Sequence, residues 1–526
     1  MPGGQGGRKI PRTMATQHPD NACLCEWIGD EVIEGDAEVQ EAYLAYKEFG
    51  CQEVMWDSEG KDVDTRVVRK LLSKYGDYFR EHPLGEDVFL TYRIPNPRIE
   101  GAERKIVCET LQNIPVAYDV ASAFYEREAI PIFEVILPFT KEGRELLWLR
   151  NYYEKCIAAD GDAELNGSLR AEDWLGPFKP KSIEAIPLIE DLDSLLAIDK
   201  IVWEYAEASR PSYVRVFIAR SDPALNYGLF CAVVLAKLAI WKLKALEEAK
   251  GIAMHPILGV GSMPFRGHLS PRNIDDFLRE YRGLSTVTIQ SALRYDHPIG
   301  EVRRAVELLN NNLPNGEPDP IEADGAVISS LISKFRSRYA HIIEGIAPLI
   351  NSVASYVPRR RSRKLHIGLF GYSRSVGRVS LPRAIPFACA LYTLGIPPEL
   401  IGGRVLEDLS EAELRALRGL YRNMERDLAI AGGFLSWRNV NMLMELHREV
   451  AERAGMGAGA LKAAISELLR DIESIEGFGI KLGQSGSAQR KYENFTNSFL
   501  LSYMEREDEE AREFLLEAAK LRRCLG

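Results

Sequence analysis

Tyr213-Val-Arg-Val-Phe-Ile-Ala-Arg220 is followed by a helical stretch over 227–249 and then by Pro256-Ile-Leu-Gly-Val-Gly261. A β-rich apolar run, a long helix and a second β-rich run need a crossover connection. The two strands are therefore expected to lie parallel in one sheet, joined right-handedly. The alternation repeats outward from this unit. Upstream lie Met14-Ala-Thr-Gln-His18, Cys51-Gln-Glu-Val-Met-Trp56, Asp87-Val-Phe-Leu-Thr-Tyr-Arg93, Ile130-Pro-Ile-Phe-Glu-Val-Ile-Leu137 and Ala185-Ile-Pro-Leu-Ile-Glu190; downstream lies Thr286-Val-Thr-Ile-Gln290. Amphipathic stretches over 64–80, 101–127 and 141–155 separate several of these runs. Eight runs in this pattern predict an α/β fold, a closed (β/α)8 TIM-like barrel.

From about 300 onward the periodicity is helical, over 301–310, 326–355, 411–431 and 461–473. The expected organisation is a flexible N-terminus over 1–12, a barrel with a catalytic mouth over 13–300, and a helical region over 301–526. That last region packs on the barrel and supplies arginine-bearing loops. Two glycine- and serine-rich segments interrupt its helices, 368–378 and 483–491, and both suit anion binding by backbone N–H groups and guanidinium forks. The basic run Arg359-Arg-Arg-Ser-Arg-Lys364 reads as a solvated linker.

Composition narrows the function. The 526 residues carry 66 basic and 76 acidic side chains, a net charge of −10. An acidic chain lacks the basic face that nucleic-acid or anionic-membrane binding requires, so neither partner is expected. Local arginines still allow a small anionic substrate in a cleft. The 8 cysteines are scattered and only Cys23 and Cys25 lie close, without the spacing of a zinc or redox site. They read as free thiols of a cytoplasmic protein. Met1-Pro-Gly-Gly-Gln-Gly-Gly-Arg8 has no apolar core of a secretory signal, and the longest apolar run, 229–240, is broken by Lys237.

A barrel places its chemistry where the strands end. The run ends here carry Gln17 and His18; Asp57, Glu59 and Lys61; Arg93; Thr140; Glu190; Asp222; Arg266; and Gln290 with Arg294. Glu190 and Asp222 follow neighbouring runs and suit a hard divalent cation, which takes one or two carboxylates plus substrate oxygens and waters. Each also suits the first turn of a helix, where an acid caps free N–H groups. His18 precedes a proline that stiffens its turn, and its imidazole suits a general base. Gly261, Ser262 and Arg266 after the seventh run make an oxyanion or phosphate pocket. Arg374, Arg378 and Arg383 lie in or just after the first glycine-rich segment and suit phosphate and carboxylate.

These residues resemble those of the phosphoenolpyruvate carboxylase family in its compact archaeal form. Arg12-Thr-Met-Ala-Thr-Gln-His-Pro-Asp-Asn21 resembles the family's Thr-Ala-His-Pro-Thr-Glu segment, which places the catalytic histidine on His18. Ile186-Pro-Leu-Ile-Glu-Asp-Leu-Asp193 and Ala219-Arg-Ser-Asp-Pro-Ala-Leu-Asn-Tyr-Gly228 are similar to the segments carrying its two Mg²⁺ ligands, here Glu190 and Asp222. Gly259-Val-Gly-Ser-Met-Pro-Phe-Arg-Gly267 resembles its glycine-rich loop and gives Arg266 a catalytic role. Ser373-Arg374 and Leu381-Pro-Arg-Ala-Ile-Pro-Phe387 resemble its Ser-Arg-Pro and Leu-Arg-Ala-Ile-Pro-Trp segments. They give a catalytic role to Arg374 and an anion-binding role to Arg383. Two departures stand out. Val260 replaces the loop's first arginine, and Leu521-Arg-Arg-Cys-Leu-Gly526 lacks the Asn-Gly ending tied to aspartate inhibition.

The resemblance implies joining phosphoenolpyruvate and bicarbonate to give oxaloacetate and phosphate, through carboxyphosphate and a Mg²⁺-stabilised enolate, with Mn²⁺ as the alternative ion. It implies His18 as the base acting on carboxyphosphate and arginines offsetting phosphoryl charge. Gln290, Arg294, Arg93, Asp57, Lys61 and Arg378 are further binding candidates by position. Water must be excluded, because a protonated enolate is only pyruvate; the loops 259–267 and 368–378 are the candidate lids. The resemblance also implies a homotetramer. A Mg²⁺-dependent 2-oxoacid aldolase or lyase acting through a pyruvate enolate is the rival reading. It would need the two acids and one arginine without the additional phosphate clamp. A non-catalytic helical scaffold is a third, and would lack the acid pair or the histidine.

Overall fold

The computed structural model describes residues 8–59, 64–101, 104–362, 375–376, 379–483 and 486–526. Its eight barrel strands are β1 (Thr13–Ala15), β2 (Glu53–Asp57), β3 (Phe89–Arg93), β4 (Glu134–Leu137), β5 (Glu184–Ile189), β6 (Tyr213–Ala219), β7 (Ala253–Gly259) and β8 (Thr286–Ile289). All are parallel, and β1 closes on β8 through Thr13–Val287 and Ala15–Ile289. The expected runs are thus the strands, with ends displaced by a few residues. The first run, drawn over 14–18, keeps strand geometry only at Thr13–Ala15, and Gln17 and His18 lie in the loop that follows.

Side chains alternate across a strand, so every second residue points into the barrel. The interior is therefore layered. Its middle is apolar, built from Met14, Met55, Ile136, Ile186, Leu188, Phe217, Ala219 and Ile257. Below it, at the strand N-termini, Arg215 is completely buried. Its Nη1 and Nη2 donate to Glu53 at 2.8 and 2.6 Å, and Nη1 also donates to Glu134 at 2.8 Å. Thr91 donates to Glu53, and Tyr213 donates to Glu134 at 3.0 Å. Above the apolar layer stand Asp57, Arg93, Glu190 and Gln290, the upper members of the same alternating rows.

The N-terminal residues 10–12, expected to be flexible with the rest of 1–12, belong to the barrel. Ile10 is buried, Thr286 Oγ1 donates to the Pro11 carbonyl, and Val287 N–H donates to that of Arg12. The boundary drawn at 300 falls inside helix Ile299–Asn312, which packs on β1 and accepts a 2.8 Å bond from Thr13 at Asn310.

Helix Leu229–Lys250 is apolar on nearly every face because it is covered twice, by the barrel and by the long helix Gly325–Ala354. Phe230 stacks on Phe335 with centroids 4.3 Å apart, and Tyr339 donates to the Leu225 carbonyl at 2.8 Å. Gly228 lets this contact form: its φ is +87°, and a Cβ there would sit 2.9 Å from the Tyr339 ring. Among the described residues no single helix is long and apolar enough to cross a membrane.

The helical half departs from the expected elements in three places. The stretch over 411–431 is two helices, Glu411–Leu420 and Met424–Gly432. The segment 483–491 is a loop only at its start, because helix Ser487–Glu505 begins within it. The basic run is no solvated linker where it is described: Arg360 and Arg361 are buried. Arg360 donates to the Ala22 carbonyl at 2.8 Å, and Arg361 is ion-paired with Glu41 and, at 3.5 Å, with Glu38. Of the first glycine-rich segment, Ser375–Val376 pairs antiparallel with Val379–Ser380.

Candidate active site at the barrel mouth

Asp57 ends β2 and Arg93 ends β3, so both rise into the mouth and meet. Arg93 Nε and Nη2 donate to the two Asp57 oxygens at 2.9 and 2.6 Å, and Nη2 lies 3.2 Å from Glu59. Burial works against the Arg93 charge, but Asp57, Glu59 and, more distantly, Glu190 raise its pKa well above the usual arginine value. Three acids therefore act on one guanidinium. This excess of negative charge in a buried rim favours a cation. Gln17 accepts the Asp57 N–H at 3.1 Å and ties the loop after β1 to this cluster.

Glu190 follows β5 and Asp222 follows β6, and the register Leu188–Phe217 and Ile189–Ile218 brings the two strand ends to one rim. The capping alternative for Glu190 is not realised, because Asp191 caps helix Leu192–Leu196 by accepting the Ser194 N–H at 3.0 Å. Asp222 does lie in the first turn of helix Ser221–Tyr227, half-buried. Among the described residues no three His, Cys, Asp or Glu side chains converge in metal-binding geometry. A hard ion such as Mg²⁺ needs only one or two carboxylates from the protein, and an acid-rich donor set without sulfur or imidazole fits that chemistry.

His18 is half-buried, with Nδ1 2.9 Å from Thr16 Oγ1. Its loop is anchored from the opposite side of the closure. Ser291 Oγ donates to the His18 carbonyl, and Asp20 accepts the Ala292 N–H at 2.7 Å. Asp296 accepts the N–H groups of Ala22 and Cys23, each at 2.7 Å. Burial raises the Asp296 carboxyl to about 7 although these donors pull it down.

Arg266 sits in the turn Pro264–Arg266 after β7 and is 1% exposed. Nε donates to Ser221 at 3.1 Å, Nη1 to Asp20 at 3.1 Å and to the Gly526 carbonyl at 2.5 Å, and Nη2 to Gln290 at 2.5 Å. Arg266 and Gln290, expected on the substrate, are thus bonded to each other and hold the loops after β1, β6, β7 and β8 together. Arg220, which sequence reasoning passed over, is fully buried beside them and donates to the Phe265 carbonyl at 3.1 Å and to Tyr281 Oη at 3.1 Å. Gly267 has φ +117°, and a Cβ there would lie 2.5 Å from Val260, so Val260 fills the underside of this turn.

Arg294 is a correction. It was expected to bind substrate, but its guanidinium is 3% exposed and donates to the Thr16 carbonyl at 2.8 Å and to Glu41 at 3.1 Å. Burial would raise the Glu41 carboxyl; Arg361 and Arg294 instead carry it down to about 2. Thr140 is a turn residue, donating to the Leu137 carbonyl at 2.8 Å. Arg383 is half-buried and precedes helix Ala384–Thr393, whose Phe387 stacks on Phe265 of the Arg266 turn at 5.8 Å. Lys61, Arg374 and Arg378 lie outside the described residues.

Sequence reasoning missed Asp20, Arg220, Glu41, Arg361 and Asp296. Each is a buried charge in a loop or on a helix, and each has its partner far along the chain. The one local signal is at Asp20 and Arg220, which stand inside the motif stretches that carry His18 and Asp222.

The profile of one family, described as phosphoenolpyruvate carboxylase, matches residues 10–526. Relatives with that name include one from Metallosphaera sedula, 46% identical over 521 residues, covering 99% of this chain and 100% of its own. Another is from Caldivirga maquilingensis, 44% identical over 520 residues, covering 99% and 100%. A third, from Methanospirillum hungatei, is 48% identical over 430 residues, covering 81% and 87%. Among solved structures, a citrate lyase from Burkholderia xenovorans aligns with a TM-score of 0.32 at 14% identity, over 58% of this chain and 83% of its own.

Proposed function

From the premise that this chain belongs to the phosphoenolpyruvate carboxylase family and carboxylates phosphoenolpyruvate, we propose how its own residues carry the reaction. The observation that supports the reading is that His18, Glu190 and Asp222 follow β1, β5 and β6 on one rim of a single closed barrel. Glu190 and Asp222 would hold a divalent ion, Mg²⁺ or Mn²⁺, which when bound supplies Lewis-acid stabilisation of the substrate oxygens.

A bicarbonate oxygen attacks phosphorus; the new O–P bond forms as the bond from phosphorus to the enol oxygen breaks. The products are carboxyphosphate and the enolate of pyruvate. His18 accepts the carboxyl proton of carboxyphosphate, its C–O bond breaks, and CO₂ and phosphate separate. The enolate carbon then attacks CO₂ and yields oxaloacetate. Arg383, with Arg374 and Arg378, binds the phosphate and carboxylate groups. Arg266 acts by holding Asp20, Ser221 and Gln290, which fixes the loops carrying His18 and Asp222 relative to each other. The enzyme works in the cytoplasm as a homotetramer, and sedimentation velocity should return the mass of four chains.

The test follows product identity. His18→Asn should lose oxaloacetate formation by about 10²–10⁴-fold, the usual weight of general acid–base catalysis, while retaining bicarbonate-dependent release of phosphate and pyruvate. Full carboxylation by this variant would remove His18 from the mechanism.

A further inference from the structure

A cavity of about 340 Å³ opens beside the mouth, behind the ends of β3 and β4, between helices Ile106–Tyr125 and Gly143–Cys156. Its volume lies in the range of small-molecule sites, and nothing in the proposed reaction uses it. Its floor is apolar, formed by Ile94, Leu137, Val107 and Leu149, and Trp148 and Tyr152 wall it. Trp148 is 52% exposed, borders the cavity and has the Arg98 and Arg144 guanidiniums 6.0 and 5.8 Å from its ring.

The rim is cationic. Arg98 neutralises the one acid of the lining, Glu145, at 2.6 Å. Arg104 and Lys105 then remain, and among the described residues neither makes an ion pair; Arg104 Nε donates only to the Gly101 carbonyl at 3.0 Å. They stand at the start of the twenty-residue helix Ile106–Tyr125, whose N-cap residue, Lys105, makes no side-chain cap. Two cations that are without an ion pair among the described residues, and the positive end of a helix dipole, therefore lie above an apolar, aromatic floor. An apolar group alone would leave the rim unanswered, and a simple inorganic anion would leave the floor wet.

We propose that this cavity is a binding site for an amphiphilic anion, an aromatic or alkyl group carrying a carboxylate, sulfonate or phosphate. The apolar part lies against Trp148 and Val107 and the anionic head meets Arg104, Lys105 and the helix start. The site is separate from the residues that carry carboxylation, although Ile94 on its floor directly follows Arg93 of the acid cluster.

The probe is anilinonaphthalene sulfonate, an aryl sulfonate that fluoresces in apolar sites, titrated into the full-length enzyme. One saturable site is expected. Lys105→Glu should weaken it about tenfold, the loss of one charge-assisted contact. Cys108 also lines the cavity, so Cys108→Phe, which fills it, should abolish binding, and Lys462→Glu on a distant exposed helix position should leave it unchanged. Carboxylation without the probe should be the same in all three variants. Binding that survives both Lys105→Glu and Cys108→Phe would overturn the proposal. So would release of smaller species by Lys105→Glu in light scattering, which would show that a second copy of the chain covers the cavity.

Discussion

The two ends of this barrel each bury arginine among carboxylates, with different balances of charge. At the bottom, Arg215 faces Glu53 and Glu134, and threonine and tyrosine hydroxyls donate to the same carboxylates. Burial opposes the Arg215 charge, yet the two glutamates raise its pKa well above the usual value. This cluster lies between a full apolar layer and the strand N-termini, away from any rim loop. At the top, Arg93 faces Asp57 and Glu59 with Glu190 within electrostatic reach, so acids outnumber the cation three to one. The comparison separates a charge cluster that holds the strands in place from one arranged to receive a further positive charge. Only β2 serves both ends, with Glu53 below and Asp57 above in one alternating row; the arginines come from different strands, β6 below and β3 above.

Breaking the upper cluster should therefore affect turnover, and breaking the lower one should affect folding. Glu190→Gln or Asp222→Asn should lower kcat/KM for phosphoenolpyruvate by about 10³-fold or more, which is roughly 4 kcal/mol of transition-state stabilisation. The thermal midpoint should stay or rise, because a functional acid excess is itself destabilising. Steady-state kinetics against metal concentration, with calorimetry on the same samples, checks both halves. Glu53→Gln should do the reverse. Leaving Arg215 with one carboxylate in a dry interior should cost about 3 kcal/mol in urea unfolding, with kcat/KM unchanged at a permissive temperature. Equal effects of both variants on both readouts would erase the distinction between the two ends.

Much of the fold was legible because parallel strands are covered on both faces and so read as apolar runs whose ends mark a rim. The inward rows were legible too: Glu53, Met55 and Asp57 alternate along one run and occupy the bottom, middle and top layers. What could not be read was how the charges pair. Arg215 meets Glu53 across 162 residues and Glu134 across 81, distances at which no local pattern exists. The run at 359–364 reads as solvated because its composition is basic. Arg361 is buried because Glu41, on helix Asp36–Lys47, comes to it from more than 300 residues away. Arg294 looks like a mouth residue from its position after β8, and only the fold turns it outward to the same Glu41. Position along a strand thus predicts height in the barrel, while direction around the rim depends on partners that the strand itself does not contain.

Smaller effects sharpen the comparison along the loop that carries His18. The Asp296 carboxyl, ordinarily near 3.8, is raised to about 7 by burial, with Asp20 adding to the rise. An acid whose folded pKa lies above its unfolded one gives stability that is present at low pH and declines as pH climbs through the folded value. Asp296 should thus lower stability progressively from about 4 to about 7, with a slope of at most about 1.4 kcal/mol per pH unit. Asp296→Asn should flatten that slope in urea midpoints measured across the interval; an unchanged slope would place the titration elsewhere.

The smallest expected effect lies at Arg294, whose guanidinium spans two jobs, a carbonyl of the His18 loop and the Glu41 carboxylate. Lysine keeps the charge but not the fork, so Arg294→Lys should retain the ion pair and lose the bond to Thr16. Glu41 keeps Arg361 in either case, so no carboxylate is left alone in the interior and the stability cost should be only about 1 kcal/mol. The Thr16 carbonyl precedes His18 by two residues, and its release should loosen the imidazole relative to the acid cluster on the neighbouring strands β2 and β3. The expected signature is a larger share of pyruvate among the products at nearly unchanged KM for phosphoenolpyruvate. If instead KM rises while the product ratio holds, Arg294 acts on substrate after all, and the rim reaches farther around β8 than its buried contacts imply.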